Sequence, residues 1–199
     1  MTAPEDLTVA TFGPLLSLIG TWEGETGVDF SYHHADRGAG DTPFVERATF
    51  TSFGPVDNGD QHLYGLDYRM AAWRATERDQ DPFHTEVGYW LYDPAARQIM
   101  RVFMVPRGVT VIAGGTCEPE ATSFELAAEL GSTTYGVLDN PYLAEHSSTT
   151  GFRCTITIGE GEWSYEEDCI LRMDVRDEVL HHTDRNTLTK VSPLASTPA

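Results

Sequence analysis

Cysteine is scarce in this chain of 199 residues: Cys117, Cys154 and Cys169 are an odd number with no C-x-x-C spacing. That argues against a disulfide framework or a zinc ribbon and leaves reduced thiols in strands as the plain reading. Basic residues are scarce too. Lys and Arg number 13 against 31 Asp and Glu, a formal net charge of −18. Such a field repels phosphate backbones and anionic leaflets, so neither nucleic acid nor a membrane surface is expected as a partner. No apolar run approaches the roughly 20 residues that span a bilayer. The opening Met1-Thr2-Ala3-Pro4-Glu5-Asp6 has neither the basic n-region nor the apolar h-region of a signal peptide, and the expected location is cytoplasmic.

Common catalytic signatures are missing as well: the chain has no G-x-S-x-G, no Walker loop and no H-E-x-x-H. Helical signals are thin. Pro14 to Ile19, closed by Gly20, reads as one short turn, and Asn140-Pro141-Tyr142-Leu143-Ala144-Glu145-His146 opens with a cap and a proline at the first helical position. No βαβ unit can be assembled from these.

What the chain has is alternation. Hydrophobic residues make up 40% and aromatic residues 11%, enough for one sizeable core, expected as a single domain over 1–191 with a flexible tail over 192–199. Phe152-Arg153-Cys154-Thr155-Ile156-Thr157-Ile158 is apolar at every even position, the mark of a strand with one buried face. After Gly159-Glu160-Gly161 the pattern resumes at Trp163, Tyr165, Cys169, Leu171 and Met173, which predicts a hairpin. Similar runs at Phe44 to Phe53, His62 to Trp73, Phe83 to Tyr92, Gln98 to Val105, Val109 to Ala113, Phe124 to Leu130 and Leu180 to Val191 bring the total to about ten strands. Short turns such as Asp93-Pro94-Ala95-Ala96 favour antiparallel neighbours. The expected fold is all-β: a closed antiparallel barrel of about ten strands, lipocalin-like or fatty-acid-binding-protein-like, with one or two short helical turns. A β-sandwich is the alternative.

The stretch Leu15-Leu16-x-Leu18-Ile19-Gly20-Thr21-Trp22-Glu23-Gly24-Glu25 resembles the start of nitrobindin-type haem-binding β-barrels, with their G-x-W-x-G-x-G pattern; Gly27 stands one place late. The resemblance continues through Glu86-Val87-Gly88-Tyr89-Trp90 and into the strand around His181-His182, covering most of residues 14 to 191. It implies a barrel closed at one end by Trp22 and holding ferric haem b at the other, with a last-strand histidine on the iron. Nitric oxide binding and peroxynitrite isomerisation are the activities it implies. In the family pattern the histidine stands five residues before a strand leucine. Counted back from Leu188 that position is Thr183, with His182 one residue earlier. A neutral imidazole would supply the proximal lone pair while its other nitrogen donates to a second acceptor. His182 is the expected ligand and His181 its substitute, with Phe103 and Met104 as apolar lining and Arg107 or Arg185 facing a propionate.

Other constellations stand beside this one. His33-His34-Ala35-Asp36-Arg37 and His181-His182-Thr183-Asp184-Arg185 are two H-H-x-D-R strings. One histidine of each could meet an Asp on a divalent metal, but solvated loop histidines are the simpler expectation for His33 and His34. Ala113-Gly114-Gly115 could let backbone approach a flat ligand or merely serve a hairpin. Glu166-Glu167-Asp168 reads as a solvated face with one side chain inward. Two further functions remain open: a carrier of fatty acid or another small hydrophobic ligand in the same cavity, and an enzyme on the same barrel using a His-Asp pair or a bound metal.

Overall fold

The computed structural model describes residues 7–192, and within them eleven strands close into a barrel. In chain order these are β1 (Gly20–His33), β2 (Gly38–Asn58), β3 (Gln61–Arg74), β4 (His84–Asp93), β5 (Gln98–Val105), β6 (Val109–Thr116), β7 (Ser123–Leu130), β8 (Gly136–Asp139), β9 (Ser147–Ile158), β10 (Glu162–Met173) and β11 (Leu180–Ser192). Around the barrel they run β1-β11-β10-β9-β7-β8-β6-β5-β4-β3-β2, so β1 pairs with both β2 and β11 and no edge is left open. The expected barrel is therefore present. Its eleventh strand is the four-residue β8, which runs parallel to β7 and antiparallel to β6. The β9–β10 hairpin turns at Gly159 to Gly161 as the sequence predicts, with Trp163 opposite Ile158. Of the expected tail, Ser192 ends β11 and 193–199 lie outside the described residues.

Three short helices accompany the strands: α1 (Val9–Phe12), α2 (Leu15–Leu18) and α3 (Pro141–His146). The side chain of Thr8 caps α1, and Gly13 between the first two helices has φ +55 with no room for a Cβ, which would lie 2.7 Å from the ring of Tyr92. Phe12, Leu15 and Leu18 are fully buried and close one end of the barrel against Trp22, whose Nε1 donates to the Leu18 carbonyl at 2.7 Å. Above this plug Phe50, Trp90 and Trp163 meet edge to face with centroids 5.8 to 6.3 Å apart. Among the described residues no helix is long and apolar enough to cross a membrane.

The opposite end is open. It is rimmed by the β1–β2 turn, the β5–β6 turn and α3. Asn140 caps α3 by accepting from the backbone N–H groups of Tyr142 and Leu143, and its Nδ2 donates to the Arg107 carbonyl at 2.6 Å. The segment around 133–142 is thereby fastened to the rim, and Leu143 faces the interior. Gly114 and Gly115 serve packing: a Cβ on Gly114 would lie 2.2 Å from the Tyr135 ring, and one on Gly115 would lie 2.2 Å from the Glu125 carbonyl oxygen.

Candidate functional site

Period-two alternation sends every second side chain into the barrel, where they surround a cavity of about 560 Å³. That volume is within the range of small-molecule sites. The apolar part of its wall includes Phe44, Met70, Phe83, Phe103, Phe152 and Leu171.

His182 reaches this cavity from the inner face of β11, which it shares with buried Leu180 and Leu188. Its Nε2 lies 2.7 Å from Asp29 Oδ1 and 3.3 Å from Asp184 Oδ2. Burial opposes ionisation of Asp29, but hydrogen bonds from His182 and Ser31 outweigh it and hold the carboxyl below its usual range. An ionised carboxylate only accepts, so Nε2 is the ring nitrogen that donates to Asp29. Burial and the Asp29 charge push the Asp184 carboxyl well up. One donor atom each from Asp29, His182 and Asp184 lie within 4.8 Å of one another, an arrangement able to take a metal ion.

The other expected site residues are divided between the two faces. Phe103 is buried in the cavity wall and Arg107 sits at the mouth. Met104, the next residue to Phe103, points outward and is 52% exposed, so it does not line the cavity; successive strand residues face opposite ways. For the same reason His181 stands on the outer surface, where its Nδ1 is 2.7 Å from Asp168 Oδ2. Arg185 is exposed beside it on the outer face. His33 and His34 both border the mouth, His33 within 3.2 Å of the Thr42 hydroxyl, but neither joins the Asp29–His182–Asp184 group.

A buried charged network lies deeper. Cys169, opposite His182 in the β10–β11 ladder, is one two-residue step from Glu167, about 7 Å along the strand. The guanidinium of Arg101 donates to Glu167 and to Glu86 Oε2, the latter at 2.7 Å, and all three side chains are nearly inaccessible to solvent. It also sits over the ring of Phe103, 4.5 Å from its centroid. Burial opposes the Glu86 charge, yet Arg101 and His84 overcome it and bring the carboxyl down to about 2. For Glu167, burial and the Glu86 charge outweigh Arg101 and push its carboxyl up. Tyr68 Oη donates to Glu86 at 3.0 Å. Two N–H donors on the cavity wall, Arg101 Nε and Trp163 Nε1, have no acceptor among the described residues.

Glu46 is the remaining buried acid of the wall. Its Oε2 accepts from Tyr165 Oη at 2.7 Å and Asn186 Nδ2 at 3.1 Å. Burial dominates over these bonds and raises the carboxyl from 4.5 to about 7. A carboxyl whose folded pKa is raised binds more protons folded than unfolded, so its contribution to stability falls as pH rises from 4.5 to 7. Glu46→Gln keeps an acceptor for both donors and removes the charge. In urea unfolding the variant is expected to gain on the parent as pH rises, from nothing at pH 4 to about 3 kcal/mol at pH 8. Parallel stability curves for the two proteins would show Glu46 to titrate normally.

Sequence reasoning missed Arg101, Glu86 and Glu46. The signal was present, since each stands at an apolar-parity position of its strand, as in Ile99-x-Arg101-x-Phe103 and Phe44-x-Glu46-x-Ala48.

The model of the THAP4-like, heme-binding beta-barrel domain family matches residues 11–190. No curated protein matches the chain. Among solved structures, Rv2717c from M. tuberculosis is similar over 92% of this chain and 99% of its own, with a TM-score of 0.63 and 19% identity, a likeness of fold. A β-barrel-like protein of a domain of unknown function from Brucella abortus covers 89% of this chain and 99% of its own at 10% identity, but its TM-score of 0.26 is too low to bear on the fold.

Proposed function

The chain belongs to the THAP4-like haem-binding β-barrel domain family, a family of ligand-binding barrels, and from that premise we propose that its cavity takes haem b with His182 as the protein's ligand to the iron. One observation carries the reading. His182 is a cavity-facing histidine whose Nε2–H is fixed by the Asp29 carboxylate, which leaves Nδ1 as the donor atom, and a metal-bound imidazole characteristically has such an acceptor on its other nitrogen. The rest of the wall suits the group. Phe44, Met70, Phe83, Phe103 and Phe152 offer apolar surface to a flat macrocycle, and Arg74 and Arg107 at the mouth match its carboxylates.

Bound haem would supply a ferric iron able to coordinate nitric oxide and to isomerise peroxynitrite to nitrate. This chain's own part is to hold and orient. Asp29, itself steadied by the Ser31 hydroxyl at 2.7 Å, keeps the imidazole in one tautomer and one orientation. The unpaired N–H groups of Arg101 and Trp163 suit a small ligand that brings an oxygen acceptor.

Ferric haem added to the purified chain is expected to give a Soret band that saturates at one equivalent. A chain that gives no Soret band but binds a fluorescent fatty acid would move the function to lipid carriage, with Arg107 on the carboxylate. The convergence of Asp29, His182 and Asp184 favours one further reading, a His-Asp or metal-dependent enzyme on the same barrel. Binding of Co²⁺ with no uptake of haem would select it.

A further inference from the structure

Three buried carboxyls share one guanidinium in the floor of the cavity. Glu46 on β2, Glu86 on β4 and Glu167 on β10 all line it, and Arg101 is the cation at this depth, bound to Glu86 and Glu167. His84, 3.2 Å from Glu86, can add a second positive charge, and the acids still outnumber the cations. Tyr68, Tyr165 and Cys154 contribute none, because burial pushes each of them well up and keeps it neutral. One step nearer the mouth, Asp29 and Asp184 face His182, two more acids against one imidazole. The shortage of positive charge falls on two groups: burial, and behind it the neighbouring carboxylates, raise both Glu46 and Glu167. Each has an oxygen to spare, since Glu46 accepts at Oε2 and Glu167 at Oε1, and the second oxygen of each has no hydrogen bond among the described residues.

Two buried donors on the same floor call for a ligand. Arg101 Nε and Trp163 Nε1, on side chains 3% and 2% exposed, lack an acceptor, and both residues line the cavity. They share a neighbour: the Arg101 guanidinium carbon is 5.3 Å from the centroid of the Trp90 ring, and the Trp163 ring is 6.3 Å from it. A buried donor left unpaired costs the full desolvation of that group, so an acceptor belongs there.

We propose that the floor of the barrel binds a small aromatic amine that carries a neutral oxygen, its ammonium on Glu46 and Glu167 and its oxygen on the N–H groups of Arg101 and Trp163. An ammonium supplies the missing positive charge and donates to both spare oxygens. Tyr68, Phe152 and Tyr165 offer ring faces to the cation and to an aromatic body. A carboxylate ligand is disfavoured, because it would bring negative charge to a place where three acids already stand. The oxygen is therefore that of a hydroxyl or a carbonyl. The site is a layer deeper than His182 and uses neither that residue nor iron, so it goes beyond the haem reading.

Isothermal titration calorimetry of the haem-free full chain at pH 8, above the value of about 7 to which Glu46 is raised, tests the site with tyramine, a primary amine bearing a phenol. Tyramine is expected to bind at one equivalent, and tyrosol, its neutral alcohol counterpart, about tenfold or more weakly. The carboxylate analogue hydroxyphenylacetate should not bind measurably. Phenethylamine, which lacks the oxygen, should lose about tenfold; Trp163→Phe should take the same loss from tyramine and leave phenethylamine unchanged. Glu46→Gln and Glu167→Gln are each expected to weaken tyramine about tenfold or more, with circular dichroism reporting that the barrel persists. Glu125→Gln, on the outer face of β7, leaves binding unchanged, which separates the site from the general pull of a molecule at −18. Tyramine and tyrosol binding alike, tyramine binding that survives both carboxyl variants, or no binding of tyramine at millimolar concentration overturns the proposal, the last leaving only water for the two donors. Haem uptake is read separately, from the Soret band, so the two readings fail independently.

Discussion

Arg101→Met is expected to destabilise the barrel by about 3–5 kcal/mol, the cost of leaving buried carboxylates without their counter-ion. The side chain is 4% exposed, and it is the cation that Glu86 and Glu167 share. Methionine fills much of the same volume against Phe103 and Phe152, so the loss reads out charge and not packing. Two companions sharpen the reading. Adding Glu86→Gln and Glu167→Gln to the variant removes the stranded charges and should return a large part of the stability. The single variant should also lose least at acid pH, where the stranded carboxyls take up protons. Urea midpoints at pH 5 and pH 8 measure both effects. A loss below about 1 kcal/mol at pH 8 would mean that water reaches these carboxylates.

Trp22→Ala is expected to cost about 3–5 kcal/mol as well, through a different mechanism. Trp22 is 1% exposed in the plug with Phe12, Leu15 and Leu18, and its indole N–H is the donor to the Leu18 carbonyl. Removing it opens a cavity at the closed end and strands that carbonyl. The outer edge is held as well, because the Lys190 ammonium lies 4.9 Å from the indole. Trp22→Phe should recover part of the loss, since it fills volume without restoring the hydrogen bond. An unfolding midpoint unmoved by Trp22→Ala would place the side chain outside the core.

The barrel was readable from the sequence because half-buried strands alternate, and in the β9–β10 hairpin the alternation switches parity across a glycine turn that the structure reproduces. The cap on α3 was readable for a local reason too, a side chain bonding to N–H groups two and three residues on. Local pattern fails where elements are shortest. α1 is four residues long and β8 four, too few for any period to register, and β8 owes its place to pairing with β6 and β7.

The site divides the same way. Alternation alone says that His181 and His182 face opposite sides, and that one member of Glu166-Glu167-Asp168 turns inward. Which of them faces the cavity depends on register against β1 and β10, and that is a long-range property. The charged network is further from view. Arg101 is 66 residues from Glu167, and Glu46 is 119 from Tyr165, so no window of sequence contains both members of either pair. Each taken singly looks like an interruption in a strand. Together they add buried charge to the cavity wall, a feature that distinguishes this cavity from a simple apolar container.

The central claim is that a single histidine of β11 brings iron into the barrel, and absorption spectroscopy of three proteins tests it most directly. Ferric haem is titrated into the parent chain, His182→Ala and His181→Ala, with circular dichroism confirming that each is folded. His182 faces the cavity with its Nε2 on Asp29, whereas His181 stands outside on Asp168. The parent and His181→Ala are expected to give the same sharp Soret band at one equivalent, and His182→Ala to give only the broad spectrum of free haem. A sharp Soret band that persists in His182→Ala, or one that disappears in His181→Ala, would contradict the account.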